Sequence, residues 1–230
     1  MKVKATRGVF NYSLGRKYIM SITGLFLCSF LIIHLWGNFQ LYFPDGGVSF
    51  NAYTIFMTTN PLIKFMEIVL VAGFLIHIID AIVLARKNSI ARPIGYAEAR
   101  PQENSTWYSR NMGFTGLIIF IFLIIHLRGF WYEYHYGDGP LTFVGDVQVN
   151  NMYEIVRASY AQWWYSAIYV VSMLLLGAHL NHGVQAAFKS LGLTNKKYSG
   201  TIKALGTIFA IIMALGFVSF PILFYFGIVG

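Results

Sequence analysis

Five stretches of this chain are long and apolar enough to cross a lipid bilayer, which leaves it few possible folds. They cover about 18–42, 61–85, 108–133, 160–188 and 202–227. In hydrocarbon every backbone N–H and C=O must find its partner within the protein, so such runs fold as helices. The chain is 57% hydrophobic and 11% charged, whereas soluble domains carry roughly a quarter charged residues. The expected fold is all-α: a polytopic five-transmembrane-helix bundle, with residues 1–230 forming a single membrane domain. The basic start MKVKATRGVFNYSLGRKY precedes an apolar run too long for a signal-peptide core and without an A-x-A-like cleavage site. It is expected to remain as the first span. The one cysteine, Cys28, lies in an apolar run, which excludes a disulfide framework and a Cys-based metal site.

The net charge of +8 is a matter of topology rather than of nucleic-acid binding. With these spans, 14 of the 17 Lys and Arg fall at one membrane face: Lys2, Lys4, Arg7, Arg16, Lys17, Arg86, Lys87, Arg92, Arg100, Arg110, Lys189, Lys196, Lys197 and Lys203. Asp45, Glu133, Asp138, Asp146 and Glu154 gather at the other. The positive-inside rule then sets the N-terminus in the cytoplasm and the C-terminus outside. The inner loop ARKNSIARPIGYAEARPQENSTWYSRN is long enough to be a docking surface. The outer segments LYFPDGGVSFNAYTIFMTTNP and EYHYGDGPLTFVGDVQVNN read as loops, Pro61 opens span II, and Pro221 should kink or end span V. There is no low-complexity tract and no convincing internal repeat.

Four histidines interrupt the apolar runs: FLIIHLWGN, GFLIHIID, FLIIHLRG and LLGAHLNHG. Spans I and III run outward, so His34 and His126, each about 16 residues in, lie toward the outer side. Spans II and IV run inward, so His77 and His179 lie toward the inner side. Ionisable groups in a span are costly and mark function. A neutral imidazole that binds iron through one nitrogen buries no charge. Two histidines on facing helices at one depth suit the axial positions of a haem b. His34 with His126, and His77 with His179, give two such pairs about 15 Å apart, half of a hydrocarbon core of about 30 Å. The plainer reading is interhelical hydrogen bonding, and a proton relay is a third. His182, three residues after His179, is an alternative ligand or a propionate contact. His135 reads as a surface residue.

These residues resemble the cytochrome b membrane anchor of succinate dehydrogenase and fumarate reductase, the succinate:quinone oxidoreductases, in the class with one five-helix, dihaem anchor chain. The resemblance covers about residues 10–227. It is carried by GRKYIMSITGLFL…HLWGN, GFLIHIIDAI, SRNMGFTGLIIFIFLIIHLR and LLGAHLNHG, with one histidine on each of spans I to IV and none on V. The resemblance implies a distal haem b on His34 and His126 and a proximal haem b on His77 and His179. It also implies a membrane quinone, with menaquinone the form that goes with this architecture. The partners implied are an FAD-containing flavoprotein subunit and an iron–sulfur subunit on the cytoplasmic face of a bacterial inner membrane. The chain has no dinucleotide fingerprint and no cysteine ligands to hold FAD or iron–sulfur clusters itself.

The remaining candidates each have a functional and a structural reading. Glu67, level with the outer histidines, is a quinol proton acceptor or an ion pair with Lys64; relatives use a glutamate in the first outer loop, where this chain offers Asp45. Arg128 lies at the outer side against the charge bias, as a propionate or quinone contact. Trp163, Trp164 and Tyr165 form an aromatic belt or touch a quinone ring. Arg16, Lys17, Ser21 and Arg110 are candidate contacts of the proximal haem or its propionates, while positive-inside bias explains the three basic residues equally well and close helix packing explains Ser21. Asp80 supports the proximal site or pairs with Lys87. Thr23, Gly24, Thr115 and Gly116 leave room for a flat cofactor or for close helix packing. Two rival functions are another quinone-linked dihaem cytochrome, serving a dehydrogenase or hydrogenase, and a non-redox transporter; the latter would need broken helices and a midplane polar site.

Overall fold

The computed structural model describes residues 13–90 and 107–229. Lys2, Lys4, Arg7, Arg92, Arg100 and the centre of the inner loop lie outside the described residues. Helix α1 covers Ser13–Asn38, with a 3-10 turn at Phe39–Tyr42; α2 covers Val48–Thr59; α3 covers Pro61–Ile90. Then come α4 (Trp107–Arg110), α5 (Met112–His126), a π-helical segment (Leu127–Tyr132) and α6 (Glu133–Tyr136). Strands β1 (Leu141–Val144) and β2 (Val147–Asn150), α7 (Met152–Tyr160), α8 (Trp163–Ser190) and α9 (Ser199–Tyr225) complete the chain.

Five helical segments are long and apolar enough to span a membrane: Leu14–Tyr42, Pro61–Ile90, Met112–Tyr136, Trp163–Ser190 and Ser199–Tyr225. They are spans I to V. In I, II and III only 11% of the most apolar window is buried within the chain, against 44% in V. Large apolar side chains such as Ile22, Ile33, Leu62, Ile68 and Leu117 are exposed. Water would penalise such a surface and lipid does not.

Span I packs on II and IV, III packs on IV, and IV packs most extensively on V. Small residues permit that closest contact. A Cβ on Gly177 would lie 2.8 Å from the Ala214 Cβ and 3.4 Å from the Ala210 carbonyl. Gly177→Leu should therefore force α8 and α9 apart and cost about 1–3 kcal/mol by overpacking. The check is a lower thermal midpoint in detergent for Gly177→Leu than for Gly183→Leu, where a Cβ meets open space.

One end of the bundle carries Arg16, Lys17, Arg110, Lys189 and Lys203, and is called the basic end. The other end is capped, where the sequence suggested loops. Asp45 accepts from the backbone N–H of Gly47 (3.0 Å) and of Ser49 (2.9 Å), and so starts α2. Gly47 adopts φ 87° against the Tyr153 ring, where a Cβ would collide. The glycine-rich stretch forms an antiparallel hairpin, Leu141 opposite Asn150, turned by Gly145 at φ 60°. Buried Asn51 ties α2 to α7. Its Nδ2 donates to Asn151 Oδ1 (2.9 Å) and its Oδ1 accepts from the Tyr153 N–H (3.1 Å). Span V runs through the buried Pro221 to Tyr225, so the proline does not end it.

The Ser49 hydrogen bond, first among its contacts, holds the Asp45 carboxyl below its ordinary range. A lowered folded pKa means the cap is complete above the ordinary aspartate pKa of about 3.9. It is lost as pH falls through the lower folded value. Amide protection of α2 in Asp45→Asn should be several-fold weaker than wild type at pH 6, with the two converging as pH falls through the lowered folded value.

Candidate functional site

Spans I and III each place a hydroxyl and an imidazole on one face. Thr23 precedes His34 by 11 residues (34 − 23), and Thr115 precedes His126 by 11 (126 − 115). Eleven residues make about three turns, so both groups share a face with a rise of about 16 Å. The sequence is repeated over that distance. Thr23-Gly24-Leu25, Phe30 to Leu35 and Gly37 recur as Thr115-Gly116-Leu117, Phe122 to Leu127 and Gly129, with a constant offset of 92 (115 − 23, 129 − 37). Sequence reading missed this repeat. Its signal, TGL-x4-FLIIHL-x-G in two spans, was hidden by general apolarity.

At the basic end the two threonines hold the two remaining histidines. Thr23 Oγ1 lies 3.1 Å from His77 Nδ1, across spans I and II. Thr115 Oγ1 lies 3.3 Å from His179 Nδ1, across III and IV. Each hydroxyl donates its own proton to a backbone carbonyl one turn earlier, Ile19 at 2.8 Å and Asn111 at 3.1 Å. The threonines must then accept from the imidazoles. That fixes both rings as Nδ1–H tautomers and leaves each Nε2 a lone pair, the form a metal ligand needs. A Cβ on Gly24 would lie 3.4 Å from His77 Cε1, and one on Gly116 3.5 Å from His179 Cε1. His179 lies within electrostatic range of His77 and of His182. It is His179, not His182, that meets Thr115, while His182 is half-buried on the same helix.

At the capped end His34 and His126 face each other, ring centres 5.7 Å apart and planes at 89°. Two metal–nitrogen bonds of about 2 Å, plus about 1 Å from nitrogen to ring centre on each side, sum to about 6 Å. The pair is thus close to the separation of two axial ligands on one iron. His126 Nδ1 lies 3.2 Å from the Tyr169 hydroxyl, itself 3.1 Å from that of Tyr165. A chain running His126 to Tyr169 to Tyr165 frees Nε2 of His126. Gly129 makes room for the Tyr165 hydroxyl, as Gly37 does for Tyr53. His34 has aromatic neighbours, Phe30 stacked at 5.2 Å and Phe217 at 5.7 Å.

Buried charge lies beside the basic-end tier. Arg16 Nη1 pairs with Asp80 Oδ1 at 2.7 Å, so Asp80 goes to Arg16 in span I rather than to Lys87 in its own helix. Asp80 is three residues from His77, and both Arg16 Nε and Asp80 Oδ2 are buried without a partner among the described residues. Ser21 is buried and donates to the Lys17 carbonyl (2.8 Å). Lys17 and Arg110 are exposed at this end.

The quinone candidates do not form one site. Glu67 takes the ion pair with Lys64 (3.6 Å) and also accepts from Trp131 Nε1 (2.8 Å). Arg128 is exposed, paired with Glu133 (3.0 Å) and placed 4.4 Å over the Tyr132 ring. Trp163 lines an apolar groove between spans IV and V with Val170, Pro221 and Tyr225. Asp45 is committed to the α2 cap. His135, read from sequence as a surface group, has a buried Nε2.

Among the described residues no three His, Cys, Asp or Glu side chains converge. Comparison of the chain with protein-family models, with characterised proteins and with solved structures found no match.

Proposed function

We propose that this chain is the dihaem cytochrome b anchor of a succinate:quinone oxidoreductase. It would pass electrons between an iron–sulfur partner and a membrane quinone, with menaquinone the expected form. The observation that carries the reading is the two-tier histidine set, with one imidazole from each of four spans. Three of the four have Nδ1 engaged by a hydroxyl. Such a set fits two b-type haems. The 5.7 Å His34–His126 separation suits one iron. Gly24 and Gly116 keep space beside the other pair. The unpartnered Arg16 Nε suits a propionate.

Bound haem supplies reversible one-electron transfer at each tier. The chain's own groups do the rest. His34 and His126 hold the site at the capped end, His77 and His179 that at the basic end. Thr23, Thr115 and Tyr169 fix ring orientation. The apolar spans exclude water and so favour neutral ligands over imidazolium. On the positive-inside rule the basic end faces the cytoplasm of a bacterial inner membrane, where the FAD and iron–sulfur subunits would dock. Quinone chemistry then falls at the capped end, away from the dicarboxylate site.

The test is affinity purification of the tagged chain from its native membranes. A flavoprotein and an iron–sulfur protein should co-purify, and the b-type absorption should be reduced by succinate and reoxidised by fumarate. Co-purification of a hydrogenase or formate dehydrogenase, with no response to either dicarboxylate, would instead favour another quinone-linked cytochrome.

A further inference from the structure

Three of the four ligand candidates have a hydroxyl at Nδ1, and His34 does not. The span beside it lacks the group that would supply one. Tyr169 stands ten residues before His179 (179 − 169), and the residue ten before His77 is Glu67 (77 − 67). Tyr169 turns to His126 at 3.2 Å, whereas Glu67 is taken by Lys64 and Trp131. Among the described residues the His34 ring makes no hydrogen bond.

Aromatic rings stand in that place. Phe30, one turn earlier on span I, stacks on the imidazole with ring centres 5.2 Å apart and planes at 17°. Phe217, from span V, meets it at 5.7 Å and 35°. Rings packed at such distances attract one another in a preferred relative orientation, so each resists rotation of the other. Phe30 is backed edge-on by Phe74 of span II at 6.2 Å, and Phe217 is buried in the core. Span V brings no histidine, yet it is fastened to span I on both sides of this contact. Gly216 makes room for Leu35, since a Cβ there would lie 2.8 Å from Leu35 Cδ2. Ser219 gives its proton to the Gly216 carbonyl (2.6 Å) and accepts from the Tyr42 hydroxyl (2.5 Å).

We infer that Phe30 and Phe217 are positioning residues for His34, setting its imidazole plane across that of His126 by ring packing where the other three histidines use a hydroxyl. The inference rests on the reading of His34 and His126 as axial ligands of one haem. The two planes stand at 89°. Tyr169 fixes one of them and the aromatic pair fixes the other. Span V, without a ligand of its own, thereby takes part in the capped-end tier through Phe217. The orientation of an axial imidazole tunes the iron it binds. Crossed imidazole planes bring two iron d-orbitals close in energy and give a low-spin ferric EPR signal with a large highest g-value. Rotation of one ring toward the plane of the other lowers it.

The experiment is low-temperature EPR of the oxidised, intact complex with Phe217→Leu, Phe30→Leu, Phe217→Tyr and Phe220→Leu, after haem content has been measured. His126→Ala identifies the signal of this tier by its loss. Phe217→Leu and Phe30→Leu should keep both haems, lower and broaden the highest g-value of that one signal, and leave the other signal unchanged. Phe217→Tyr keeps the ring and should restore the wild-type position. Phe220→Leu is the packing control. Phe220 is buried on the same span but lies against Phe39 and Tyr42 rather than a histidine, so its loss should leave the signal in place. An unmoved signal in both Phe217→Leu and Phe30→Leu, or an equal shift in Phe220→Leu, would overturn the positioning role while leaving the ligand assignment intact. A fully assembled wild-type complex without haem would overturn that assignment and this role with it.

Discussion

His126→Ala should leave the assembled chain with one b-type haem in place of two. The surviving spectrum should be that of the His77–His179 tier. Two observations make the loss specific. Among the histidines His126 faces His34, at 5.7 Å, and the other tier is built from different residues, on Thr23 and Thr115, about three helical turns away. A bis-histidine site that loses one of two protein bonds to iron loses low-spin ligation even where the porphyrin lingers. Tyr169→Phe separates the ligand from its support: His126 remains, so haem should be retained, with a shifted midpoint potential because the Nδ1 partner is gone. Two low-spin haems in His126→Ala would exclude the assignment.

The second large effect belongs to Asp80→Leu. Asp80 is 4% exposed and its partner Arg16 is mostly buried. Removing the carboxylate strands a guanidinium in a low-dielectric setting, a change that costs about 3–5 kcal/mol. The double variant Arg16→Leu/Asp80→Leu should recover much of this, because removing both charges leaves neither uncompensated. Thermal unfolding in detergent of the two single variants and the double variant forms the cycle. Equal loss in Asp80→Leu and in the double variant would show that the pair is not a coupled unit.

The five spans were legible because bilayer crossing imposes a length and polarity that few other constraints mimic. Their ends were not. Span II runs to Ile90 through Lys87, Asn88 and Ser89, since a helix needs no apolar residues once it leaves hydrocarbon. Span IV starts at Trp163 rather than 160, because Tyr160 ends the separate helix α7. The capping elements were hidden for a different reason. Helix α2 depends on Asp45 as a cap and on Asn51 meeting Asn151, 100 residues away. The order of histidines could be read by depth. Their hydroxyl partners could not, because Thr23 and Thr115 reach their imidazoles across helices 54 and 64 residues distant in sequence. Asp80 illustrates the same limit: Lys87 is near in sequence, and Arg16 is near in space.

If four imidazoles ligate two irons, haem stoichiometry must reflect it. The purified chain, co-expressed with its partners, would be assayed for haem b per polypeptide together with a reduced-minus-oxidised spectrum. About two b-type haems per chain with low-spin bands are expected, one for each histidine tier. A folded, fully assembled sample with no haem would refute the ligand assignment and leave His34, His77, His126 and His179 as helix-packing or proton-handling groups.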